Sequence, residues 1–182
     1  MSRARKIAVV GSRSVGKSSM TVQYVEEHFV ESYYPTIENQ FSKTISFKNQ
    51  EYAIEILDTA GQDEFSIMNQ KHLIGIHGYI LVYSIASKNS FDMLQVIRDK
   101  IIDSTGNEHL PMIVVGNKND LELQRQVTRS EGENWAKSFG YKFIECSART
   151  NSNVDQVFEL LILEIEKALN PGSEKEEKCV IT

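Results

Sequence analysis

The sequence predicts an α/β fold, with a single domain built on a six-stranded, mostly parallel sheet that carries helices on both faces. Short runs rich in β-branched residues alternate with longer amphipathic runs, which is typical of β-α-β units. The chain has 182 residues, the usual size of one domain. Its last amphipathic run repeats apolar residues at helical spacing, which indicates a helix with one apolar face.

The apolar runs predict strands at residues 6–10, 41–47, 52–57, 79–84, 112–116 and 142–146. Lys48 and Asn49 form a tight-turn signal, so the second and third strands are expected to be antiparallel. The amphipathic runs predict helices at residues 17–27, 91–103, 129–139 and 153–169. Capping boxes are predicted at the start of the last two helices, from Thr128 with Glu131 and from Ser152 with Asp155.

Composition narrows the class of function. The net charge of -5 argues against non-specific binding to nucleic acid. Cys146 and Cys179 lie in unlike contexts and suggest neither a disulfide nor a zinc site. The apolar run behind the N-terminus is too short for a signal peptide, and no other run reaches the length of a membrane span. We therefore expect a protein that is made in the cytosol and stays on that side of the membrane.

The segment G-S-R-S-V-G-K-S at residues 11–18 matches the phosphate-binding pattern G-x-x-x-x-G-K-[ST]. It lies after a predicted strand and before a predicted helix, where backbone N–H groups and the helix dipole can bind phosphate. Lys17 would reach the β- and γ-phosphates, and Ser18 would bind Mg²⁺. The candidate phosphate-binding residues are Arg13, Ser14, Val15, Gly16, Lys17, Ser18 and Ser19. The alternative is an ordinary strand-to-helix turn that happens to contain glycines.

A second polar segment begins where another apolar strand ends. The Asp58 carboxylate can hold Mg²⁺ there, directly or through a water, although an acidic N-cap residue is the alternative. Gln62 is placed to orient a water in line with the γ-phosphate, and the Gly61 N–H to bond a γ-oxygen. The candidate catalytic residues are Lys17, Gly61 and Gln62.

The segment N-K-N-D at residues 117–120 predicts a guanine site. The Asp120 carboxylate can accept hydrogen bonds from N1–H and the 2-amino group of guanine, whereas adenine has an acceptor at N1 and no 2-amino group. Adenine would leave that charge unpaired, which gives strong discrimination. The Lys118 stem can cover the base, and Asn117 can tie this segment to the phosphate-binding loop. Taken alone, the segment is equally compatible with a polar surface turn.

Residues 146–149 close the next predicted strand. The backbone N–H of Ala148 is placed to donate to guanine O6, with Ser147 and Arg149 beside it. The signal is weak by itself, but ligands bind at this carboxyl edge of parallel strands.

In this order, the segments resemble the Ras superfamily of small GTPases, from Lys6 to Leu169. The resemblance implies a P-loop NTPase fold over residues 1–169 and a monomer that binds GDP or GTP with Mg²⁺ and hydrolyses GTP slowly. It also implies partners: a GTPase-activating protein and an effector that recognises the GTP form. Residues 13–19, 33–39 and 78–84 are most similar to the Rheb group, which implies activation of the TOR kinase complex in growth and nutrient signalling.

The family pattern assigns further residues. The effector loop would comprise Tyr33, Tyr34, Pro35, Thr36, Ile37, Glu38 and Asn39. Thr36 would join Ser18 and Asp58 as a metal ligand in the GTP form. The resemblance adds Phe29, Val30, Tyr33, Pro35 and Thr36 to the nucleotide-binding set, although the sequence context of Phe29 alone favours a core residue.

The chain departs from Ras at Arg13 and Ser14, where Ras has glycines. We expect the Arg13 side chain to crowd the space beside the γ-phosphate, hindering both Gln62 and an incoming arginine finger. The alternative is an arginine that points into solvent.

The C-terminal residues 170–182 are expected to form a flexible tail. Its end, C-V-I-T, fits the C-a-a-X pattern and predicts prenylation of Cys179, with farnesyl favoured over geranylgeranyl. A C-terminal cysteine by coincidence is the alternative. The tail is not polybasic, so one prenyl chain predicts weak attachment to the cytosolic face of endomembranes, the vacuole or lysosome, or the plasma membrane.

Two other functions fit parts of the sequence. A metabolic P-loop ATPase or kinase would need an adenine site, against which Asp120 argues. A nucleotide-locked adaptor that never hydrolyses GTP is disfavoured by Gln62 but kept open by Arg13.

Overall fold

The computed structural model describes residues 1–29, 39–59 and 75–171. The strands are β1 (Arg3–Gly11), β2 (Asn39–Phe47), β3 (Gln50–Asp58), β4 (Gly78–Ser84), β5 (Met112–Asn117) and β6 (Lys142–Glu145). The helices are α1 (Lys17–Glu26), α2 (Lys88–Thr105), α3 (Arg129–Ser138) and α4 (Val154–Leu169), and a short 3-10 helix covers Glu122–Gln124. None of the helices in these ranges is long and apolar enough to cross a bilayer.

The six strands form one sheet in the order β2-β3-β1-β4-β5-β6. Only β2 and β3 pair antiparallel, and the other neighbours are parallel. Lys48 and Asn49 connect β2 to β3 with φ angles of 48° and 61°, the left-handed conformation that tight hairpin turns require. The predicted fold class and hairpin are confirmed.

Alternate residues of the strands face two separate cores, because successive side chains point to opposite sides of a sheet. On one face, Ile7 and Val9 of β1 pack with Met20 of α1 and Phe158 of α4. The second core, on the opposite face, includes Ala8 and Val10 of β1, Leu94 of α2 and Ala136 of α3. Every residue of β4 is buried, as expected for a central strand covered on both sides.

Helix α2 begins three residues before the predicted position 91. Ser87 is its N-cap, and the Ser87 hydroxyl accepts a hydrogen bond from the Ser90 N–H at 3.2 Å. At the other end Gly106 adopts a φ of 67°, a common helix stop. The capping box predicted for α3 is confirmed, since the Glu131 N–H donates to Thr128 and the Thr128 N–H donates to Glu131.

The capping box predicted from Ser152 and Asp155 is wrong. Asn153 is the N-cap of α4, in a left-handed conformation with φ of 60°, and its side chain makes no capping hydrogen bond. The backbone of Ser152 instead exchanges two hydrogen bonds with Ser147. The Asn153 side chain donates to the Glu145 carbonyl oxygen at 3.0 Å. Tertiary contacts to the end of β6 therefore replace the local cap.

Candidate functional site

The candidate residues gather at the carboxyl edge of the sheet, where β1, β3, β5 and β6 end. The strand order reverses at β1, which lies between β3 and β4 although it comes first in the chain. In open α/β sheets ligands bind at such switch points. The topology therefore brings together four segments that are far apart in sequence.

The phosphate-binding loop connects β1 to α1. Ser14 has a φ of 63° and Gly16 a φ of 90°, so the loop contains left-handed residues of the kind that make anion-binding nests. A Cβ on Gly16 would overlap Nδ2 of Asn117, and a Cβ on Gly11 would overlap the Val82 carbonyl oxygen. Both glycines are thus required by close approaches as well as by conformation.

Lys17 is the first residue of α1 and is 5% exposed. Its Nζ folds back over the loop and donates to the carbonyl oxygens of Gly11 at 3.1 Å and Ser12 at 2.8 Å. Burial lowers the pKa of Lys17 to about 8, and the nearby Asp58 charge opposes that shift. A buried ammonium at this position is poised to gain from the charge of bound phosphates.

Ser18 and Asp58 meet beside this loop. The Ser18 hydroxyl donates to Oδ2 of Asp58 at 2.6 Å. Burial raises the pKa of Asp58, while the hydrogen bond from Ser18 and the charge of Lys17 oppose the rise. Oδ1 of Asp58 is buried and has no hydrogen-bond partner within the described ranges. An unsatisfied carboxylate oxygen beside a hydroxyl is the oxygen-rich chemistry that Mg²⁺ prefers, so these two residues fit the metal.

Asn117, the last residue of β5, links the two halves of the site. It is 1% exposed. Its Nδ2 donates to the Val15 carbonyl oxygen at 2.8 Å, and its Oδ1 accepts from the Ala148 N–H at 3.3 Å. One side chain therefore holds the phosphate-binding loop against the segment after β6.

The segment after β5 continues toward the predicted base site. Lys118 adopts a φ of 63°, and its Nζ donates to the Ser14 carbonyl oxygen at 2.7 Å. Burial lowers the pKa of Lys118, and the Asp120 charge opposes that shift. Oδ1 of Asp120 accepts a 2.7 Å hydrogen bond from the Ser147 hydroxyl, and the Thr150 N–H donates to that same hydroxyl. The Asp120 carboxylate is thereby held in one orientation.

A model of the Ras family matches residues 6–167. The chain belongs to the Ras family. Three relatives cover nearly all of it. The GTP-binding protein rhb1 of Schizosaccharomyces pombe is 62% identical over 98% of this chain and 97% of its own length. The small monomeric GTPase RhbA of Aspergillus fumigatus is 59% identical over 98% and 97%. The GTP-binding protein Rheb of Homo sapiens is 47% identical over 99% and 98%.

The predicted likeness to Rheb-type Ras GTPases is confirmed, and with it a GTP-hydrolysing switch protein. The Ras-family assignment gives a chemical meaning to the edge of the sheet. It makes GTP the candidate ligand of the site that the four segments form.

The Ras-family site holds one buried residue that the sequence prediction missed. Gln23 of α1 is 7% exposed, and its Nε2 donates to the Ala148 carbonyl oxygen at 2.9 Å. Helix α1, which follows the phosphate-binding loop, is thus hydrogen-bonded directly to the segment after β6 that contains Ala148. A glutamine among the buried positions of α1 is a signal for such a contact, but only the tertiary structure identifies its partner.

The remaining predicted residues of the Ras-family site differ in exposure. Arg13, Ser14 and Arg149 are exposed, while Ser19 is half-buried. Val15 is 1% exposed and packs in the core, so only its backbone can serve the nucleotide. Phe29 is half-buried and packs against the same core.

Several predicted residues lie outside the described residues: Val30, Tyr33, Tyr34, Pro35, Thr36, Ile37, Glu38, Gly61, Gln62 and Cys179. Asn39, the last residue of the predicted effector loop, is the exposed first residue of β2 and pairs in register with Asp58. The start of β2 and the end of β3 that carries Asp58 are therefore direct neighbours.

Proposed function

We propose that this GTPase is a Mg²⁺-dependent switch in which Asn117 holds the phosphate and guanine halves of one site together. The observation that carries the proposal is the pair of Asn117 contacts, to the Val15 carbonyl oxygen at 2.8 Å and to the Ala148 N–H at 3.3 Å. A shared buried amide makes the geometry of each half depend on the other. Bound GTP would therefore be recognised at both ends by one connected structure.

Guanine recognition is assigned to Asp120, with the Ala148 N–H donating to O6. The Ser147 hydroxyl at 2.7 Å fixes the Asp120 carboxylate in position. The Ala148 N–H donates to Oδ1 of Asn117 at 3.3 Å, a long hydrogen bond that guanine O6 could replace. Adenine would face the carboxylate with an acceptor, and that mismatch favours GTP over ATP.

The test of this site is the nucleotide content of the purified protein. We expect bound GDP or GTP, and affinity for guanine nucleotides at least about 100-fold above adenine nucleotides. Asp120→Asn should weaken GDP binding and improve xanthosine diphosphate binding, since xanthine offers a carbonyl where guanine has its amino group. Protein that is empty of nucleotide and shows no preference for guanosine over adenosine nucleotides would contradict the proposal.

Metal binding is assigned to Ser18 and Asp58, with Thr36 added in the GTP form. When bound, Mg²⁺ would neutralise charge on the β- and γ-phosphates. The Ser18 hydroxyl lies 2.6 Å from Oδ2 of Asp58, so the two oxygens are close enough to bind one ion together. Lys17 adds a second positive charge at the loop, from a position that is almost fully buried.

GTP hydrolysis is assigned to Gln62, which would orient the attacking water, and to the Gly61 N–H, which would bond a γ-oxygen. Arg13 is exposed on the phosphate-binding loop, and we propose that it slows hydrolysis by crowding Gln62 and an arginine finger. The activating protein would then supply another catalytic group. Arg13→Gly should raise the single-turnover hydrolysis rate. Unchanged intrinsic and stimulated rates would contradict the role of Arg13.

The output of the switch is proposed to be activation of the TOR kinase complex through the effector loop at residues 33–39. The resemblance to the Rheb group supports this assignment. The experiment adds the GTP-loaded or the GDP-loaded protein to purified TOR kinase complex and measures substrate phosphorylation. Equal stimulation by both forms would rule out a nucleotide-dependent effector role.

Membrane attachment is proposed to depend on a prenyl group at Cys179, with farnesyl favoured. One chain without a polybasic segment gives only marginal, reversible binding. The prenylated protein should therefore partition onto vesicles weakly, and Cys179→Ser should remain in solution. Equal partitioning of the two proteins would exclude the lipid anchor.

A further inference from the structure

We propose that Arg125 is a positioning residue for guanine recognition, which acts by pairing with Glu145. This ion pair holds the end of β6 against the segment that carries Asp120. It thereby sets base selectivity and the rate of nucleotide release. The inference rests on the proposed function, because it concerns the same guanine site.

The segment that contains Ser147 and Ala148 follows β6, a strand with few ladder hydrogen bonds to hold it. β6 has four residues and lies at the edge of the sheet, where β5 is its neighbour. An edge strand has ladder hydrogen bonds on one side only, so short edge strands depend on additional contacts. The position of the Ala148 N–H therefore depends on what else fixes the end of β6.

Glu145, the last residue of β6, makes that additional contact. Its carboxylate accepts two hydrogen bonds from Arg125, from Nη1 to Oε2 and from Nη2 to Oε1, both at 2.9 Å. The Glu145 side chain is 5% exposed and that of Arg125 is 17% exposed. A bidentate ion pair fixes both the distance and the relative orientation of the guanidinium and the carboxylate, which a single hydrogen bond cannot do. The hydrogen bonds from Arg125 to Glu145 and Glu122 also raise the pKa of Arg125.

Arg125 lies at the end of the chain segment that begins at the base site. The Leu121 N–H donates to the Lys118 carbonyl oxygen at 2.9 Å, and Arg125 caps the 3-10 helix that follows. A movement of Arg125 is therefore transmitted to Lys118 and Asp120 through a short, hydrogen-bonded stretch of backbone.

Two pairs of polar side chains join the two base-binding segments. The first contact is the hydrogen bond from the Ser147 hydroxyl to Oδ1 of Asp120 at 2.7 Å. The second contact is the ion pair between Arg125 and Glu145. Removing the Arg125–Glu145 pair leaves the Ser147–Asp120 hydrogen bond and the 3.0 Å backbone hydrogen bond from the Asn119 N–H to the Cys146 carbonyl oxygen to hold the two segments together. Because Asp120 selects guanine by two directed hydrogen bonds, small displacements reduce selectivity.

Arg125→Gln and Arg125→Lys test the proposal, with Glu122→Gln as the matched control. Glu122 bonds the same guanidinium from the solvent side and is 67% exposed, so its loss leaves the buried pair in place. A lysine keeps the positive charge but cannot make the bidentate contact with the Glu145 carboxylate. The measurements are the dissociation rates of GDP and inosine diphosphate with Mg²⁺, together with the thermal midpoint of each GDP-bound protein. Inosine lacks the 2-amino group that Asp120 would bind.

We expect Arg125→Gln to release GDP about tenfold faster, equivalent to one factor of ten in affinity. The release rate of inosine diphosphate should increase less. The ratio of the inosine diphosphate release rate to the GDP release rate, which is expected to exceed one in the wild-type protein, should therefore fall toward one. Arg125→Lys should lie between Arg125→Gln and the wild-type protein, and Glu122→Gln should behave as the wild-type protein. If Arg125→Gln does not fold, Arg125→Lys decides by the same ratio.

An unchanged ratio in the Arg125 variants, even with a lower thermal midpoint, would assign the pair a structural role only and overturn the inference. A shift of the ratio in Glu122→Gln as large as in Arg125→Gln would also overturn it. Failure of the proposed function has a different signature, because the wild-type protein would then show no preference for GDP over inosine diphosphate.

Discussion

The Ser18 hydroxyl donates a 2.6 Å hydrogen bond to Oδ2 of Asp58 and so joins the end of the phosphate-binding loop to the end of β3. The other oxygen of that carboxylate, Oδ1, is buried without a hydrogen-bond partner among the residues described. Burying an unsatisfied charged group destabilises a protein unless a cation or donor compensates. The arrangement therefore favours metal binding at some expense of stability.

Asp58→Asn removes the charge and keeps the size of the side chain. We expect GDP to dissociate about 10–100-fold faster in saturating Mg²⁺, as for other changes at metal sites, and chelation of Mg²⁺ to have little further effect. The nucleotide-free protein should not lose stability, because burial already disfavours the ionised Asp58. Fluorescent GDP release with and without a chelator measures the first effect.

The matched control is Glu55→Gln, which makes the same chemical change on the same strand at a half-buried position. GDP release from this variant should respond to chelation as in the wild-type protein. An Asp58→Asn variant that keeps the full response to Mg²⁺ would refute the assigned metal site.

Asn117→Asp tests the connection between the two halves of the site. The substitution keeps the shape but removes the N–H that donates to the Val15 carbonyl oxygen, and it places a negative charge against that oxygen. Leaving a buried group unsatisfied costs about 1–3 kcal/mol, so the midpoint of urea unfolding should fall and GDP release should accelerate. Asn119→Asp adds the same charge two positions away and should change both quantities much less.

Gly16→Ala separates steric overlap from backbone strain. Gly16 has a φ of 90°, and a Cβ there would overlap the Asn117 amide. Gly106 also has a left-handed φ, 67°, but a Cβ there meets nothing within 4 Å. Gly106→Ala should cost about 1 kcal/mol of stability with normal GDP affinity. Gly16→Ala should lose GDP affinity by more than its stability loss accounts for, as measured by GDP titration and urea unfolding.

The fold was predictable because its signals are local. The alternation of strand and helix patterns, the turn at Lys48 and Asn49, and the capping box of Thr128 and Glu131 each depend on residues that are neighbours in sequence. The cap predicted from Ser152 failed because competing contacts replaced it. The Ser152 backbone pairs with Ser147, and the Asn153 side chain donates to the Glu145 carbonyl oxygen, so these residues contact the preceding strand and loop and not the first turn of α4.

The gathering of the candidate residues was predictable, because Lys17 and Asp120 lie in segments that follow β1 and β5, and parallel strands end at the same edge of a sheet. The supporting contacts were not predictable. The links from Gln23 to Ala148 and from Arg125 to Glu145 join residues that are far apart in the chain or on different elements. A single sequence carries no signal for which distant polar groups become partners after folding.

The pKa of Lys17 makes nucleotide binding sensitive to pH. Burial lowers that pKa from 10.5 to about 8. Between these values the unfolded chain holds a proton that the folded, nucleotide-free protein has released. The stability of the nucleotide-free protein should therefore rise with pH across this window, by at most about 3 kcal/mol from this group. Below pH 8 the Lys17 ammonium is charged in the folded protein, and its full desolvation cost lowers the free energy of unfolding.

Bound phosphates reverse that preference, since their negative charge favours the ammonium form of Lys17. GDP binding at pH 8.5 should therefore take up about three-quarters of a proton through this group, and binding at pH 6.5 should take up almost none. Calorimetry at pH 8.5 in two buffers of different ionisation enthalpy measures the uptake. Lys17→Arg, which keeps its charge at both pH values, should show no such difference. Identical heats for the wild-type protein in the two buffers at pH 8.5 would mean that Lys17 keeps its proton in the nucleotide-free site, and that its burial does not tune phosphate binding.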